Sequence, residues 1–312
     1  MRVFRSIDEA RGATAGSALA IGNFDGVHKG HQALLGTAVS QAREAPAAAL
    51  TFEPHPGKVL GPRVAPRLLT TLERKLELIE DCGVELCIVQ PFNLDFAAIA
   101  ADDFVDRLLL GTLGVRTVVV GEDFSFGKGR RGRVDQLRSL LARGGAELSI
   151  VPKVELEGLA VSSTRIRELV LEGRVEAAAR LLGRPFDLEG QVVAGEGRGK
   201  TLGFPTANIV PAGELLPAQG VYAVEALCPA GRFPAAANLG RKPTFGEGAA
   251  QTLEVHLIGY SGGSLLGERL RVGFCSRLRE ELRFPSVEAL RSQIGRDVAE
   301  AAKLLEGVGP RS

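Results

Sequence analysis

Residues 17–42 read SALAIGNFDGVHKGHQALLGTAVSQA. The opening SALAIG is a short apolar run suited to a buried strand, and GHQALLGTAVSQA carries the amphipathic pattern of a helix. The alternation recurs down the first half of the chain. AAALTF (47–52), ELCIVQ (85–90), TVVVG (117–121) and ELSIV (147–151) are further buried strands, and helical stretches such as TLERKLELIEDCG (71–83) lie between them. Continuous apolar strands alternating with helices predict a parallel sheet covered on both faces, a doubly wound α/β domain. Ligands of such sheets bind beyond the carboxyl ends of the strands. Asn23 to His31, Glu53-Pro54-His55-Pro56 and Gly121-Glu122-Asp123-Phe124 all follow strands. Three separate segments are therefore expected to meet on one rim.

Two short helices, around 164–172 and 174–182, close this domain, with Gly183 placed as the stop of the second. After GRPFDLEG (183–190) the pattern changes. GQVVAG, GVYAVEAL, RFPAAANLG, TLEVHLIGY and RLRVGF are short alternating segments punctuated by Gly and Pro, with no helical pattern between them. An antiparallel barrel or sandwich is expected. A final helix from about Val287 carries Leu290, Ile294, Val298, Ala301 and Leu305 on one face, a stripe read as core packing and not as a binding surface. The expected division is residues 1–184 and 185–312, which suits a length of 312 residues.

Composition excludes several classes. With 38 basic and 37 acidic side chains the net charge is +1, whereas a general nucleic-acid binder carries a strong basic excess. No apolar run reaches the 18 or so residues that a membrane span needs, and MRVFRSIDEARG is not a secretory signal. The four cysteines contain no CxxC pair and read as reduced, mostly buried thiols of a cytoplasmic protein. Nucleic acid and membrane are thus not expected as partners, while self-association stays open.

His28-Lys29-Gly30-His31 sits in the first strand-to-helix turn. Gly26 and Gly30 let backbone approach a ligand, and the helix start offers unpaired N–H groups and a positive dipole end that suit phosphate. Two imidazoles there can donate hydrogen bonds to phosphate oxygens without the fixed charge of lysine. The plainer reading is that His28 packs and His31 caps. Ser162-Ser163-Thr164-Arg165-Ile166-Arg167 starts another helix. One hydroxyl is enough for an N-cap, and arginine in a first turn opposes the dipole unless an anion is present. Phosphate binding accounts for this segment better than capping alone.

In the second half, Gly195-Glu196-Gly197-Arg198-Gly199-Lys200-Thr201-Leu202-Gly203-Phe204-Pro205-Thr206-Ala207-Asn208 forms a glycine-rich loop whose N–H groups suit phosphates. Pro-Thr-Ala-Asn adds a hydroxyl and an amide carbonyl, oxygen ligands for Mg²⁺ shared with ATP phosphates. The alternative is an ordinary hairpin loop. Strand alternation puts Glu254 and His256 on the face opposite Leu253, Val255 and Leu257. Two other patterns are misleading. Gly127-Lys128-Gly129-Arg130-Arg131-Gly132 spells GxGxxG but does not follow the first strand, so a solvated basic loop is expected there. Gly199-Lys200-Thr201 has Ala194 where a P-loop begins with glycine.

GNFDGVHKGHQ, FEPHP, VGEDFSFGKGRRG and VSSTRIRELV, in this order, resemble the flavin adenylyltransferase half of the bifunctional bacterial riboflavin kinase/FAD synthetases. GKTLGFPTAN, GVYAV, AANLGRKPTF, LEVHL and the LRxExxF and QIxxD patterns resemble the riboflavin kinase module and extend the likeness to about residue 300. The resemblance implies a Rossmann-like nucleotidyltransferase domain followed by an antiparallel β-barrel with a C-terminal helix. It implies Mg²⁺-dependent conversion of riboflavin and ATP to FMN, then of FMN and a second ATP to FAD and pyrophosphate. The alternative keeps one of the two activities, the other module serving as a flavin-binding or packing domain.

By the same resemblance, His28 and His31 contact ATP phosphates and stabilise the transition state, and Gly30 lies between them. Asn23, Phe24 and Asp25 shape the turn, and Ser163, Thr164 and Arg167 steady the leaving pyrophosphate. In the kinase module, Glu254 is the general base, Gly199, Lys200 and Gly203 belong to the ATP loop, and Thr206 and Asn208 are the Mg–ATP ligands. Two positions depart from the pattern: Ser125 stands where many relatives carry arginine, and Leu266 replaces a tyrosine at an expected packing position.

Overall fold

The computed structural model describes residues 1–195, 197–241 and 251–307, with only the backbone of Arg198, Arg241 and Gln251. Glu196, and the AANLGRKPTF segment from Lys242 onward, lie outside the described residues. The chain forms two compact units, Met1–Ser163 and Thr164–Ser312.

The first unit is built on a sheet of β1 (Arg2–Phe4), β2 (Ala18–Ile21), β3 (Ala47–Glu53), β4 (Leu86–Pro91), β5 (Thr117–Gly121) and β8 (Glu147–Val151). Their order is β1-β4-β3-β2-β5-β8, and every neighbouring pair is parallel. Two short hairpins, β6 (Ser125–Phe126) with β7 (Gly132–Arg133) and β9 (Glu155–Leu156) with β10 (Leu159–Ala160), stand outside it. Alternation along the strands divides the core in two. Leu19, Ile21, Leu50 and Val118 join one cluster with Phe104, Leu109 and Leu141. Ala18, Ala20, Ala49 and Val119 join another with Leu35 and Ala38 of helix Lys29–Gln41 and with Leu78 and Ile79 of helix Leu72–Asp81. A sheet buried on both faces leaves its strands apolar throughout, as the sequence pattern required. The chain runs β2, β3, β4 to one side and β5, β8 to the other, so the order reverses between β2 and β5. That reversal opens a crevice at the strand ends, where the His28–His31 turn lies.

The edge strand β1 was not anticipated, and neither was the π-helical stretch Phe104–Thr112. The expected basic loop is a short 3-10 turn, Lys128–Arg130, between β6 and β7. Its cationic residues are exposed; helix Val134–Arg143 follows it, but the strand before it, Ser125–Phe126, has two residues and lies outside the parallel sheet, unlike that of a dinucleotide-binding turn.

In the second unit, helices Ser163–Leu171 and Val175–Leu182 precede the barrel, the second ending on Gly183 at φ 79° as expected. Glu176 accepts hydrogen bonds from Ser276 Oγ (2.7 Å) and Arg277 N (2.9 Å), fixing the second helix to a barrel strand. Strands β11 (Phe186–Val193), β12 (Ala207–Pro211), β13 (Gly220–Cys228), β14 (Gly231–Arg241), β15 (Gln251–Leu257) and β16 (Arg269–Arg279) close in the order β11-β12-β15-β14-β13-β16. All pairings are antiparallel, so the barrel alternative holds over the sandwich. The bore is filled by Leu239, Leu253, Val255, Val272 and Phe274, all fully buried. Helix Val287–Leu304 lies on the outer wall, where Ala301 and Leu305 pack against the small residues Ala223 and Ala236.

Between β11 and β12 the glycine-rich loop contains a five-residue helix, Arg198–Leu202, bounded by left-handed Gly197 and Gly203. Strand, loop and helix do follow one another here. The helix leads back into an antiparallel neighbour, however, and not into the parallel crossover of a P-loop.

Candidate active sites

The turn after β2 is held from several sides. The Asp25 carboxylate accepts hydrogen bonds from Leu69 N (2.9 Å) and Thr70 N (3.3 Å), and Gly26 N donates to Thr70 Oγ1 (3.2 Å). Thr51 Oγ1 donates to Asn23 O (3.1 Å), Gln32 Nε2 to Val27 O (2.9 Å) and Ser163 Oγ to Asp25 O (3.0 Å). These bonds hold Phe24 at φ 49° and the β-branched Val27 at φ 38°. Such conformations cost about 1–3 kcal/mol each and persist where surroundings over-determine them, typically at functional sites.

His28 caps helix Lys29–Gln41, its Nδ1 accepting from His31 N at 3.3 Å. In the neutral ring the proton is therefore on Nε2, which makes that atom a donor. The His28 and His31 rings stack at 3.6 Å and 15°, and Phe24 meets His31 edge-on at 5.4 Å. A Cβ on Gly30 would reach the His28 ring at 3.2 Å, so glycine there permits the close imidazole. His31 Nδ1 is shut from solvent without a hydrogen-bond partner among the described residues. A buried orphan of this kind calls for a ligand or a function. Capping and ligand-facing roles thus coexist in this pair.

Burial, then the neighbouring His28, then Lys75 hold the His31 pKa well below the ordinary 6.5. Below 6.5 the unfolded imidazole takes up a proton that the folded one refuses. The unfolded state then binds more protons, and stability drops as pH falls; above 6.5 His31 contributes nothing to the slope. The melting temperature is expected to fall between about pH 7 and about pH 5, and less steeply in His31→Gln. Equal slopes in thermal unfolding of the two proteins would remove His31 from the acid response.

Lys75, on helix Leu72–Asp81, was missed in the sequence. It is 7% exposed, with Nζ 3.5 Å from Phe52 O and 4.0 Å from Glu53 Oε2 at the end of β3. Burial lowers its pKa against the opposing pull of Glu53 and Asp25. The available signal was a lysine on the apolar face of TLERKLELIEDCG, three residues after Leu72 and three before Leu78.

The first unit brings Asn23, Phe24, Asp25, His28, Gly30, His31 and Ser163 together. Thr164 and Arg167 continue the helix that Ser163 begins, Thr164 exposed and Arg167 half-buried. Arg165 in that first turn pairs with Glu168 at 2.9 Å. Ser125 accepts from Arg130 Nε at 2.8 Å, so a guanidinium from five residues on reaches the departing position.

A cleft of about 600 Å³ opens on the outer wall of the barrel. Asn208, Glu254 and Asn238 lie directly opposite one another on β12, β15 and β14, which puts them on one face, but Asn208 is not among the residues that line the cleft. Their neighbours Ala207, Val255 and Ala237 form the buried row behind. Glu254, Asn238, Thr206 and Gly199 line the cleft, whereas Lys200 is exposed. Asn238 was not singled out in the sequence; its signal is a lone amide in the apolar strand AAANLG. A Cβ on Gly195 would overlap the Asn208 amide, and one on Gly199 would lie 3.0 Å from Thr206 Oγ1. The loop backbone thus cradles both oxygen donors.

The helix stripe read as core packing divides in two. Ala301 and Leu305 are core and Val298 packs against them while also lining the cleft, but Leu290 and Ile294 line the cleft, because apolar periodicity marks a face without saying what covers it. Leu266 is 61% exposed, contrary to the packing position expected. The cleft helix is pinned by Asp297, 4% exposed, which accepts from Arg279 Nε (3.0 Å), Arg279 NH2 (2.7 Å) and Gln293 Nε2 (2.8 Å). Removing one partner of a buried pair strands the other charge. Asp297→Ala is expected to cost about 3 kcal/mol of stability, measured by urea unfolding of the full chain.

Residues 11–165 match the FAD synthetase family and residues 182–305 the riboflavin kinase family. The bifunctional riboflavin kinase/FMN adenylyltransferase of Pseudomonas fluorescens is 40% identical over 97% of this chain and 98% of its own. The chain belongs to the bifunctional riboflavin kinase/FMN adenylyltransferase family. The Escherichia coli K12 relative of the same description is 37% identical over 95% of this chain and 96% of its own, and the Bacillus subtilis relative 37% over 93% and 92%. A solved structure described as a macrolide-efflux protein from Streptococcus pneumoniae superposes with a TM-score of 0.87 at 31% identity, covering 96% of this chain and 97% of that one. Among the described residues no helix is long and apolar enough to cross a membrane. The imidazole pair and Ser163 fall in the FAD synthetase match, and the cleft residues Thr206, Asn238 and Glu254 in the riboflavin kinase match. Both modules of the family are present, so the reading with a single retained activity is set aside.

Proposed function

We propose that Glu254 and the His28–His31 pair divide the two reactions of this family between the two modules, with the functional boundary at residues 184/185. In the kinase module, Glu254 takes the proton of the ribityl 5′-hydroxyl of riboflavin. The oxygen bonds to the γ-phosphorus of ATP, the bond from that phosphorus to the β-bridging oxygen breaks, and FMN and ADP result. The observation that supports this assignment is the register of Glu254 with Asn238 on β14 and Asn208 on β12, with Glu254 and Asn238 both lining the cleft.

The donor set fits Mg²⁺. Among the described residues no group of three or more His, Cys, Asp or Glu could hold a metal by itself. Thr206 and Asn208 supply neutral oxygens, which suits an ion that shares its coordination with substrate phosphates. When bound with ATP, the ion neutralises charge on the phosphate oxygens. Gly199 and Gly203 let the loop approach the phosphates, and the exposed Lys200 offers a point charge beside them.

In the adenylyltransferase module, a phosphate oxygen of FMN bonds to the α-phosphorus of ATP. The bond to the bridging oxygen breaks and pyrophosphate leaves. No protein nucleophile is required; catalysis is alignment and stabilisation of developing charge. His28 donates from Nε2, and the neutral His31 adds a second donor. Ser163, Thr164 and Arg167 receive the pyrophosphate, while Asn23, Phe24 and Asp25 hold the turn. The four free cysteines suit a cytoplasmic setting; burial pushes the thiols of Cys87 and Cys275 up to about 12 and about 11, leaving them unreactive.

Incubating the purified chain with riboflavin, ATP and magnesium and separating the flavins is expected to give FMN, then FAD. Absence of both would overturn the reading.

A further inference from the structure

We infer that His256 is a positioning residue of the kinase reaction, its Nδ1–H clamping the Pro205 carbonyl so that the adjoining Thr206 is presented to the cleft. The inference rests on the reading of Thr206 as a ligand of Mg–ATP.

Strand alternation alone would turn His256 outward into water. Instead it lines the cleft beside Glu254, with Nδ1 2.8 Å from Pro205 O. A carbonyl only accepts, so the proton must sit on Nδ1, and the neutral ring is left with a lone pair on Nε2. The tautomer is therefore set by the segment that the ring holds. That segment needs holding. Residues 205 and 206 lie between the Arg198–Leu202 helix, whose Gly199 carbonyl takes the Phe204 N–H, and the start of β12 at Ala207. Proline has no N–H, so the carbonyl is the one backbone group residue 205 can offer. On the other side, Phe204 N donates to Gly199 O at 2.8 Å, and the Phe204 ring meets His256 edge-on at 5.6 Å and 86°. Thr206 thus follows directly on a residue tied to β15, and its Oγ1 sits against the Gly199 backbone.

Asparagine carries an amide nitrogen at the position of Nδ1, and glutamine one at the position of Nε2. The pair of substitutions separates the two ring atoms. His256→Gln is expected to raise KM for Mg–ATP about tenfold, the effect of one lost hydrogen bond, with little change in KM for riboflavin. His256→Asn should stay within about threefold of the parent, because it preserves the donor. FMN adenylylation by the same variants should not change. In the unaltered protein, nitrogen-15 NMR should find the His256 proton on Nδ1.

Rescue by glutamine instead of asparagine, no effect of either change, equal loss in both, or a proton on Nε2 would each overturn the inference. Thr206→Ala separates this from the underlying assignment. If that variant leaves KM for Mg–ATP unchanged, the ligand role of Thr206 fails; if it raises KM while His256→Gln does not, the clamp alone fails.

Discussion

Glutamine in place of Glu254 is expected to slow conversion of riboflavin to FMN by about 10²–10⁴-fold, the usual worth of a positioned general base. FAD formation from supplied FMN should continue at the parent rate. The change keeps shape and hydrogen-bonding reach while removing the ability to accept a proton at neutral pH. Because Asn208 and Asn238 flank position 254 in register, the new amide stands in a polar row and the barrel should fold normally. Flavin separation after single-substrate incubations gives both rates from one preparation. An unaltered kinase rate would exclude Glu254 as the base; loss of both rates would point to misfolding, not chemistry.

The complementary change is His28→Ala, expected to lower FMN adenylylation by about 10²–10³-fold, the usual loss when one oxyanion-stabilising donor is removed. Riboflavin phosphorylation should be preserved. The alanine also deletes the cap of helix Lys29–Gln41, which costs about 1 kcal/mol. His28→Asn retains a side-chain acceptor at the cap, and so isolates the lost Nε2 donor. If His28→Asn turns over FMN as fast as the parent, His28 serves the helix and not the reaction.

The parallel sheet was legible because strands buried on both faces must be apolar throughout, and TVVVG and ELSIV coincide with β5 and β8. The outward face of Glu254 was legible because the two-residue period puts it opposite Leu253 and Val255, while its proposed role came from the family resemblance alone. Other features depend on facts that local sequence does not encode. The strand Arg2–Phe4 is three residues long, too short for any period to show. Nothing in FDGV announces that Phe24 and Val27 take left-handed backbone; the bonds to Thr51, Leu69, Thr70 and Ser163 impose it from distant segments. Asn238 becomes meaningful only through its register with Glu254, a pairing between strands. The face of helix Val287–Leu304 was recognised as apolar, but its division between packing and cleft depends on where the barrel wall stops touching it.

A barrel whose bore is filled and whose cleft lies on its flank separates two kinds of sequence change. Substitutions among Leu239, Val255 and Val272 answer to volume and shape, since all three are fully buried. Outward residues of the same strands divide between the packing of helix Val287–Leu304, as at Ala236, and the cleft, as at Asn238 and Glu254. Adjacent positions on β15 can therefore drift under unrelated pressures, and directed evolution of flavin analogues can leave the staves untouched while recutting what hangs on them.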